Sequence, residues 1–331
     1  MSKILITGGA GFIGLHLAEK LHKSGHEIHL LDNFARAAKD PDLAAFLALE
    51  NVKMIEEDLL NKSFIDRLDK NYDVIYHFAA IIGVPHVLGR PYEVLTKNVE
   101  LLSNIIEFAT LQENLGRLVF TSTSEIYAGT LKYFDLPIPT PEDTPLGLTD
   151  LSEPRTSYML SKIYGEAMCQ NSKVPFTIIR PHNVYGPRMG MSHVVPILLE
   201  RSHTLESNDL PLQVYSPTHK RTFCYIEDAV DLLERVIMSP ECEGASLNLG
   251  STDDEINMET LANGILKATG IGKGLTFMPE TEGSVLRRCP DMTMAMSLTG
   301  YQSTVSLEDG LSRTYDWYVK NVFEGHGVTA D

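Results

Sequence analysis

Cysteine is sparse in this chain of 331 residues: Cys169, Cys224, Cys242 and Cys289 stand apart, with neither paired nor metal-ligand spacing. A disulfide frame and a zinc site are therefore not expected, and free thiols in a reducing compartment are. Positive charge is short as well. Lysine and arginine number 28 against 44 acids, a formal net charge of −16. That disfavours a nucleic-acid-binding surface and leaves room for no more than a local basic pocket. Long apolar runs, internal repeats and low-complexity tracts are all missing, so no membrane span is expected. The first strand-like run begins at Lys3, which argues against a signal peptide. These absences point to a cytoplasmic globular protein with no nucleic-acid, membrane or metal partner. The length suits one large or two fused domains with an ample core.

What is present is organised around Lys3–Gly14, KILITGGAGFIG. Lys3–Thr7 reads as a buried parallel strand, and Phe12, Ile13, Leu15, Leu17, Ala18 and Leu21 carry a helical period after it. Between them Gly8, Gly11 and Gly14 recur every three residues. Gly8 lets the chain turn, Gly11 lets backbone approach a pyrophosphate, and Gly14 lets helix pack on strand. The helix start offers free N–H groups to phosphate. A second strand, Glu27–Leu31, ends at Asp32, near the spacing of an acid that binds a ribose 2′-OH. Its charge would repel a 2′-phosphate, which favours NAD over NADP. An ordinary tight turn before a core helix is the bland alternative, and the downstream acid weighs against it.

Further strands are expected at Val52–Glu56, Asp73–Phe78, Leu118–Thr121 and Pro175–Arg180, alternating with helices near Pro41–Leu49, Ser63–Leu68 and Tyr92–Leu111. That alternation predicts an α/β fold: a Rossmann-type doubly wound parallel sheet, with ligands off the carboxyl ends of its strands. Asp58, beside Leu59, either meets the adenine edge of a dinucleotide or caps the next helix. Ala79 and Ala80 are small enough to leave room for a flat cofactor. The proline-rich stretch 130–154 reads as a long loop of functional weight. Beyond residue 181 the alternation dissolves into a smaller mixed lobe over 182–331, with a segment near 222–250 returning to the nucleotide domain of 1–181. Lys220, Arg221, Arg287 and Arg288 stand out in so acidic a chain, as a diphosphate clamp or as ordinary surface charge.

Ser122-Thr123-Ser124-Glu125 follows the fifth strand, and Tyr158 and Lys162 lie four apart on one helix face. An ammonium beside a phenol stabilises phenolate and is expected to lower the tyrosine pKa. Such a phenolate can take a hydroxyl proton while hydride leaves the same carbon. Alone, the pair reads as a solvated helix face. The glycine turn and the polar strand end change that reading.

As a set, GGAGFIG, HFAA at 77–80, STSEIY at 122–127, YMLSK at 158–162, RPHNVYGPR at 180–188, RTFCYIED at 221–228 and RRCPD at 287–291 resemble the extended short-chain dehydrogenase/reductase family. More narrowly, they resemble its NAD-dependent nucleotide-sugar epimerases, dehydratases and decarboxylases. The resemblance implies a catalytic set of Thr123, Tyr158 and Lys162, assisted by Ser124 and Glu125. It implies NAD contacts at Gly8, Gly11, Phe12, Ile13, Gly14, Asp32, Asn33, Asp58, Leu59, Ala79, Ala80, Asn98, Tyr158 and Lys162. Substrate contacts follow at Asn183, Val195, Val214, Arg221 and Arg288. It further implies a nucleotide-diphosphate sugar as substrate and a homodimer formed by the long helices near 92–111 and 157–170.

The chemistry implied is transient oxidation at carbon 4 of the sugar, after which epimerisation, dehydration or decarboxylation is open. Ser124 stands where dehydratases of the family carry an acid. Thr-Ser-Glu, Pro154-Arg155 and the Arg-x-Pro-Asp at 288–291 resemble UDP-glucuronate decarboxylases, with Glu125 and Arg288 attending the carboxylate. Ile81–Val87 departs from the loop of those enzymes, and His182 departs from the aromatic or small residue usual there. Decarboxylation and 4-epimerisation are therefore nearly level. A non-catalytic NAD-binding sensor is the alternative of another class, and it would have no need of the Thr123, Tyr158 and Lys162 set.

Overall fold

Seven short apolar runs form one sheet in the computed structural model of this chain, which describes residues 1–281 and 284–325. They are β1 (Lys3–Thr7), β2 (Glu27–Asp32), β3 (Val52–Glu56), β4 (Val74–His77), β5 (Arg117–Thr121), β6 (Phe176–Pro181) and β7 (Ser246–Leu249). All pair in parallel, in the order β7-β6-β5-β4-β1-β2-β3. The order reverses between β1 and β4, which opens a crevice at the carboxyl ends of those strands. This is the expected doubly wound sheet, with β7 supplied from the later segment.

Alternate side chains of each strand enter two cores. Ile4, Ile6, Tyr76, Val119 and Ile179 pack with helix α1 (Phe12–Lys23) and the Ile226–Met238 helix. Leu5, Ile75, Leu118, Phe120 and Ile178 pack under the Pro91–Ala109 and Pro154–Asn171 helices. Gly165 permits that second contact, since a Cβ there would stand 2.5 Å from the Phe120 ring.

The remaining chain forms a lobe of short pieces. Lys220–Arg221 lies between Ile256–Asn257 and Arg287–Arg288, and Leu212–Tyr215 pairs with Leu275–Met278. Helices Val194–His203, Met258–Thr269 and Leu307–Tyr318 cover them, and their apolar residues join the core on the α1 face. No helix among the described residues is long and apolar enough to cross a membrane. All four cysteines are free thiols.

The segment 130–154 differs from a plain loop. It begins within a helix, Ala128–Tyr133, and its centre is tied down. Thr130 Oγ1 donates to the Pro145 carbonyl at 2.6 Å and accepts from the Gly147 N–H at 2.8 Å. Thr140, Glu142 and Thr144 are buried. A Cβ on Gly129 would come 1.9 Å from the Gly147 carbonyl oxygen, so glycine is required for that approach. The proline-rich composition suggested a long loop. Long-range hydrogen bonds invisible in the sequence hold the segment instead.

Candidate active site

The glycine turn is built as the spacing predicts. Gly8 has φ +68, and a Cβ on it would sit 2.8 Å from the Ala79 nitrogen. A Cβ on Gly14 would sit 2.4 Å from the Gly8 carbonyl oxygen. Gly11 is the N-cap of α1, with no side-chain cap and no acid in the first turn, so Phe12 and Ile13 open a helix whose leading N–H groups suit an anion. At the end of β2, Asp32 accepts from Phe34 N at 2.9 Å and Ala10 N at 3.2 Å. Burial raises its pKa, against those two bonds and the charge of Arg188. The cradle that a Cβ would fill, the uncapped helix start and the acid fit a dinucleotide.

The nearby candidates are already engaged. Asp58 accepts from Leu60 N at 2.9 Å and from Asn33 Nδ2 at 3.1 Å. The next helix, Lys62–Ile65, has Asn61 as its N-cap, so the capping alternative for Asp58 is incorrect: the helix starts one turn later. Leu59 is buried and offers only backbone. Asn98 grips Ile81, accepting from its N–H at 2.7 Å and donating to its carbonyl at 3.0 Å. It thereby fixes the strand exit that carries Ala79 and Ala80.

At the end of β5, Thr123 is extended and its hydroxyl accepts from Glu125 N at 3.2 Å, opening a 3-10 turn over Ser124–Tyr127 that buries Ser124. Its side chain also faces the Tyr158 phenol closely enough to favour its ionised form. Lys162 Nζ donates to the Thr121 carbonyl at 2.7 Å and lies 5.9 Å from the Tyr158 ring centroid. Thr123, Tyr158 and Lys162 therefore meet at one strand end. The expected direction of the tyrosine shift is corrected, however. Burial and the charge of Glu125 push the Tyr158 pKa up, while Thr123 and Arg36 oppose. Burial also lowers Lys162 to about 8. The ammonium is spent on a carbonyl, and desolvation outweighs what it lends the phenol. The charge of Arg36 acts on both Asp32 and Tyr158, which puts the nucleotide acid and the phenol in one electrostatic neighbourhood.

Two arginines converge from the second lobe. Arg221 and Arg288 are register partners on parallel strands. Arg221 is anchored to the carbonyls of Lys220, Val285 and Leu286 and to Ser284 Oγ. Burial and then Arg288 hold its pKa down at about 10. Arg288 is half-buried, and no hydrogen bond fixes its guanidinium among the described residues. Burial lowers its pKa, with Glu125 the charge that opposes. Like charges side by side make a site for an anion. Of the other two cations, Arg287 pairs with Glu255 and Lys220 is exposed. Asn183, at φ +43, donates to the Thr222 carbonyl at 3.0 Å. The side chains of Val195 and Val214 are buried in the apolar core.

Sequence reasoning missed Arg188 and Asp40 as a pair. Arg188 Nε donates to Asp40 Oδ2 at 2.7 Å, and the guanidinium also reaches the Ala10 and Gly11 carbonyls. Arg188 stood in a quoted motif, but nothing in the sequence linked it to Asp40. Buried side-chain atoms without partners also gather at the strand ends: Thr121 Oγ1, Ser122 Oγ, His182 Nδ1 and Thr222 Oγ1.

The model of the NAD-dependent epimerase/dehydratase family matches residues 4–250 of this chain. The chain belongs to that family. It is 31% identical to the UDP-N-acetyl-α-D-glucosaminuronate decarboxylase of Bacillus cytotoxicus, over 96% of this chain and 97% of that protein. It is 30% identical to UDP-glucuronic acid decarboxylase 1 of Xenopus tropicalis, over 97% of this chain and 73% of that protein. Among solved structures it resembles the UDP-glucuronic acid 4-epimerase of Bacillus cereus, in complex with UDP-glucuronic acid and NAD. The TM-score is 0.79 at 27% identity, covering 95% of this chain and 98% of that one. The chain is thus similar to NAD-dependent enzymes that modify nucleotide sugars.

Proposed function

We propose that this protein decarboxylates a nucleotide-linked hexuronic acid, of the UDP-glucuronate type, through transient oxidation at carbon 4. The observation that carries this reading is the charge arrangement around Tyr158: Glu125 acts both on the phenol and on Arg288, whose guanidinium no hydrogen bond anchors among the described residues. A carboxylate-bearing sugar suits that free guanidinium. The relatives that act on uronic acids support the same class.

Gly8, Gly11, Gly14, Asp32, Asn33, Asp58, Ala79 and Ala80 would hold NAD, which when bound accepts and later returns a hydride at carbon 4. Thr123 orients the carbon-4 hydroxyl, and Tyr158 would take its proton once the positive charges of bound NAD and of Lys162 offset burial and leave the phenol ionised. Lys162, held on Thr121, places a positive charge near the Tyr158 ring and would be available to the ribose of bound NAD. Arg221 and Asn183 grip the diphosphate. A carbonyl at carbon 4 makes the bond between carbon 5 and the carboxyl group labile: that bond breaks, carbon dioxide leaves, and the electron pair becomes an enolate. Glu125 then delivers a proton to carbon 5.

The test is incubation of the NAD-loaded protein with UDP-, GDP-, CDP- and dTDP-sugars, uronic acids included, followed by mass spectrometry. Loss of carbon dioxide supports the proposal. An unchanged mass with altered chromatography replaces it with 4-epimerisation, and loss of water with 4,6-dehydration. A chain that binds NAD and turns over none of them would be a sensor. For assembly we propose a homodimer through the Pro91–Ala109 and Pro154–Asn171 helices, which pack together and leave Tyr92 78% and Tyr164 55% exposed. Light scattering that finds only monomer rejects it.

A further inference from the structure

We propose that His182 selects the substrate: its Nδ1 accepts a hydrogen bond from a hydroxyl or amide N–H of the bound nucleotide sugar, close to Arg288. The inference rests on the nucleotide-sugar reading above and adds a specificity contact to it.

His182 ends a buried polar chain. Glu166 holds Arg180 through two bonds, at 2.7 and 3.0 Å. Arg180 donates to Tyr127 Oη at 2.7 Å, and Tyr127 donates to Asn248 Oδ1 at 3.3 Å. Asn248 Nδ2 spends both hydrogens on carbonyls, of Thr140 at 2.9 Å and Asp291 at 3.1 Å. That fixes the orientation of the amide. Asn248 Oδ1 is therefore an acceptor, and His182 Nε2, 3.1 Å away, must carry the ring hydrogen. Nδ1 is then a bare lone pair. The ring is 1% exposed, and Nδ1 is the one buried side-chain polar atom of this chain of contacts with no partner.

A buried acceptor without a donor is uncommon, and ligands account for many such atoms. The surroundings point to a ligand here. After burial, the strongest influence on the ring is the charge of Arg288, which links through Glu125 to Tyr158. His182 directly follows β6 and bonds back to the Leu249 carbonyl at 2.8 Å, so the backbone holds the ring at the ligand end of the sheet. Burial lowers the ring pKa to about 3, so it stays neutral at any working pH. A neutral acceptor favours O–H or N–H and rejects an ionised carboxylate, which Arg288 takes instead.

The test uses NAD-loaded protein and calorimetric titration with UDP, UDP-glucuronic acid and UDP-N-acetylglucosaminuronic acid. His182→Gln keeps an amide N–H toward Asn248 and removes the acceptor at the Nδ1 position. His182→Asn keeps an acceptor there. We expect His182→Gln to bind the UDP-sugars roughly tenfold more weakly with UDP unchanged, and His182→Asn to stay near wild type. A loss on both sugars identifies a hydroxyl donor. A loss on the acetamido sugar alone identifies the amide N–H. Wild-type sugar affinity in His182→Gln, or equal losses on UDP and UDP-sugar, overturns the proposal. Failure of wild type to bind any UDP-sugar sinks the reading beneath it. Should the variants fold poorly, the 15N resonance of Nδ1 in wild type decides: it moves toward that of a bonded acceptor on sugar addition, and an unmoved resonance overturns the proposal.

Discussion

Arg188 and Asp40, 148 positions apart, form a buried ion pair at 2.7 Å, and the same guanidinium donates to the carbonyl of Ala10 at 3.3 Å and to that of Gly11 at 3.4 Å. The peptide units of those carbonyls carry the N–H groups of Gly11 and Phe12. A cation bound to the oxygens polarises both units and makes their N–H groups better donors. The glycine turn is thus supported by a residue from beyond β6.

Replacing Arg188 with Met leaves Asp40 buried and unpaired, although Asp40 keeps its cap on Leu43 N at 2.8 Å. The expected cost is about 3–5 kcal/mol in urea unfolding. NAD affinity by calorimetry should fall with it. Adding Asp40→Asn to Arg188→Met should recover part of the stability and none of the affinity.

Two glycines separate tight approach from backbone strain. Gly14→Ala puts a Cβ 2.4 Å from the Gly8 carbonyl oxygen and 2.8 Å from Gly9 Cα, so the turn must move. The expected outcome is loss of bound NAD together with about 1–3 kcal/mol of stability. Gly25→Ala meets nothing within 4 Å and pays only for φ +87. It should cost roughly 1–2 kcal/mol and leave the NAD titration unchanged.

The sheet was legible because buried parallel strands are continuous apolar runs, and β1 through β6 read as such with ends displaced by a residue or so. The glycine turn was legible because its spacing is steric. Arg221 and Arg288 were legible as a candidate diphosphate clamp, but their pairing on adjacent strands was not, since strands of two residues carry no periodicity. The Tyr158 shift was misread because helical spacing sets a distance and says nothing of desolvation. The anchoring of 130–154 and the His182 chain depend on Asn248, more than a hundred residues from Thr140 and Glu142. No local pattern announces contacts of that range.

Arg288 offers a trade between stability and function. It stands beside Arg221 without a hydrogen bond among the described residues, and each guanidinium raises the cost of charging the other. Arg288→Met removes a like-charge contact from the free protein, so its melting temperature should hold or rise. The KM for a UDP-uronic acid should rise about tenfold or more, with a smaller effect on a UDP-hexose lacking the carboxylate. Equal losses on both sugars would assign Arg288 to the diphosphate instead.

Lys162 predicts a pH signature of the protein free of ligand. Burial lowers its pKa from 10.5 to about 8. Below about pH 8 the folded and unfolded chains both carry the proton, so this group adds no slope. Between 8 and 10.5 the unfolded chain holds the proton and the folded one does not. Stability contributed by this group therefore rises with pH across that window, by on the order of 3 kcal/mol in total. Tyr158, whose pKa is raised, acts oppositely above its unfolded value near 10. Lys162→Met isolates the lysine. It loses the bond to Thr121 together with the cost of burying the charge, and it should also lose the rise. Urea unfolding at pH 7.5 and 9.5 is the measurement, and the stability of wild type minus that of the variant should be greater at the higher pH. A difference that stays constant would mean that Lys162 keeps its proton through this range, with the Thr121 carbonyl and Glu166 compensating for burial.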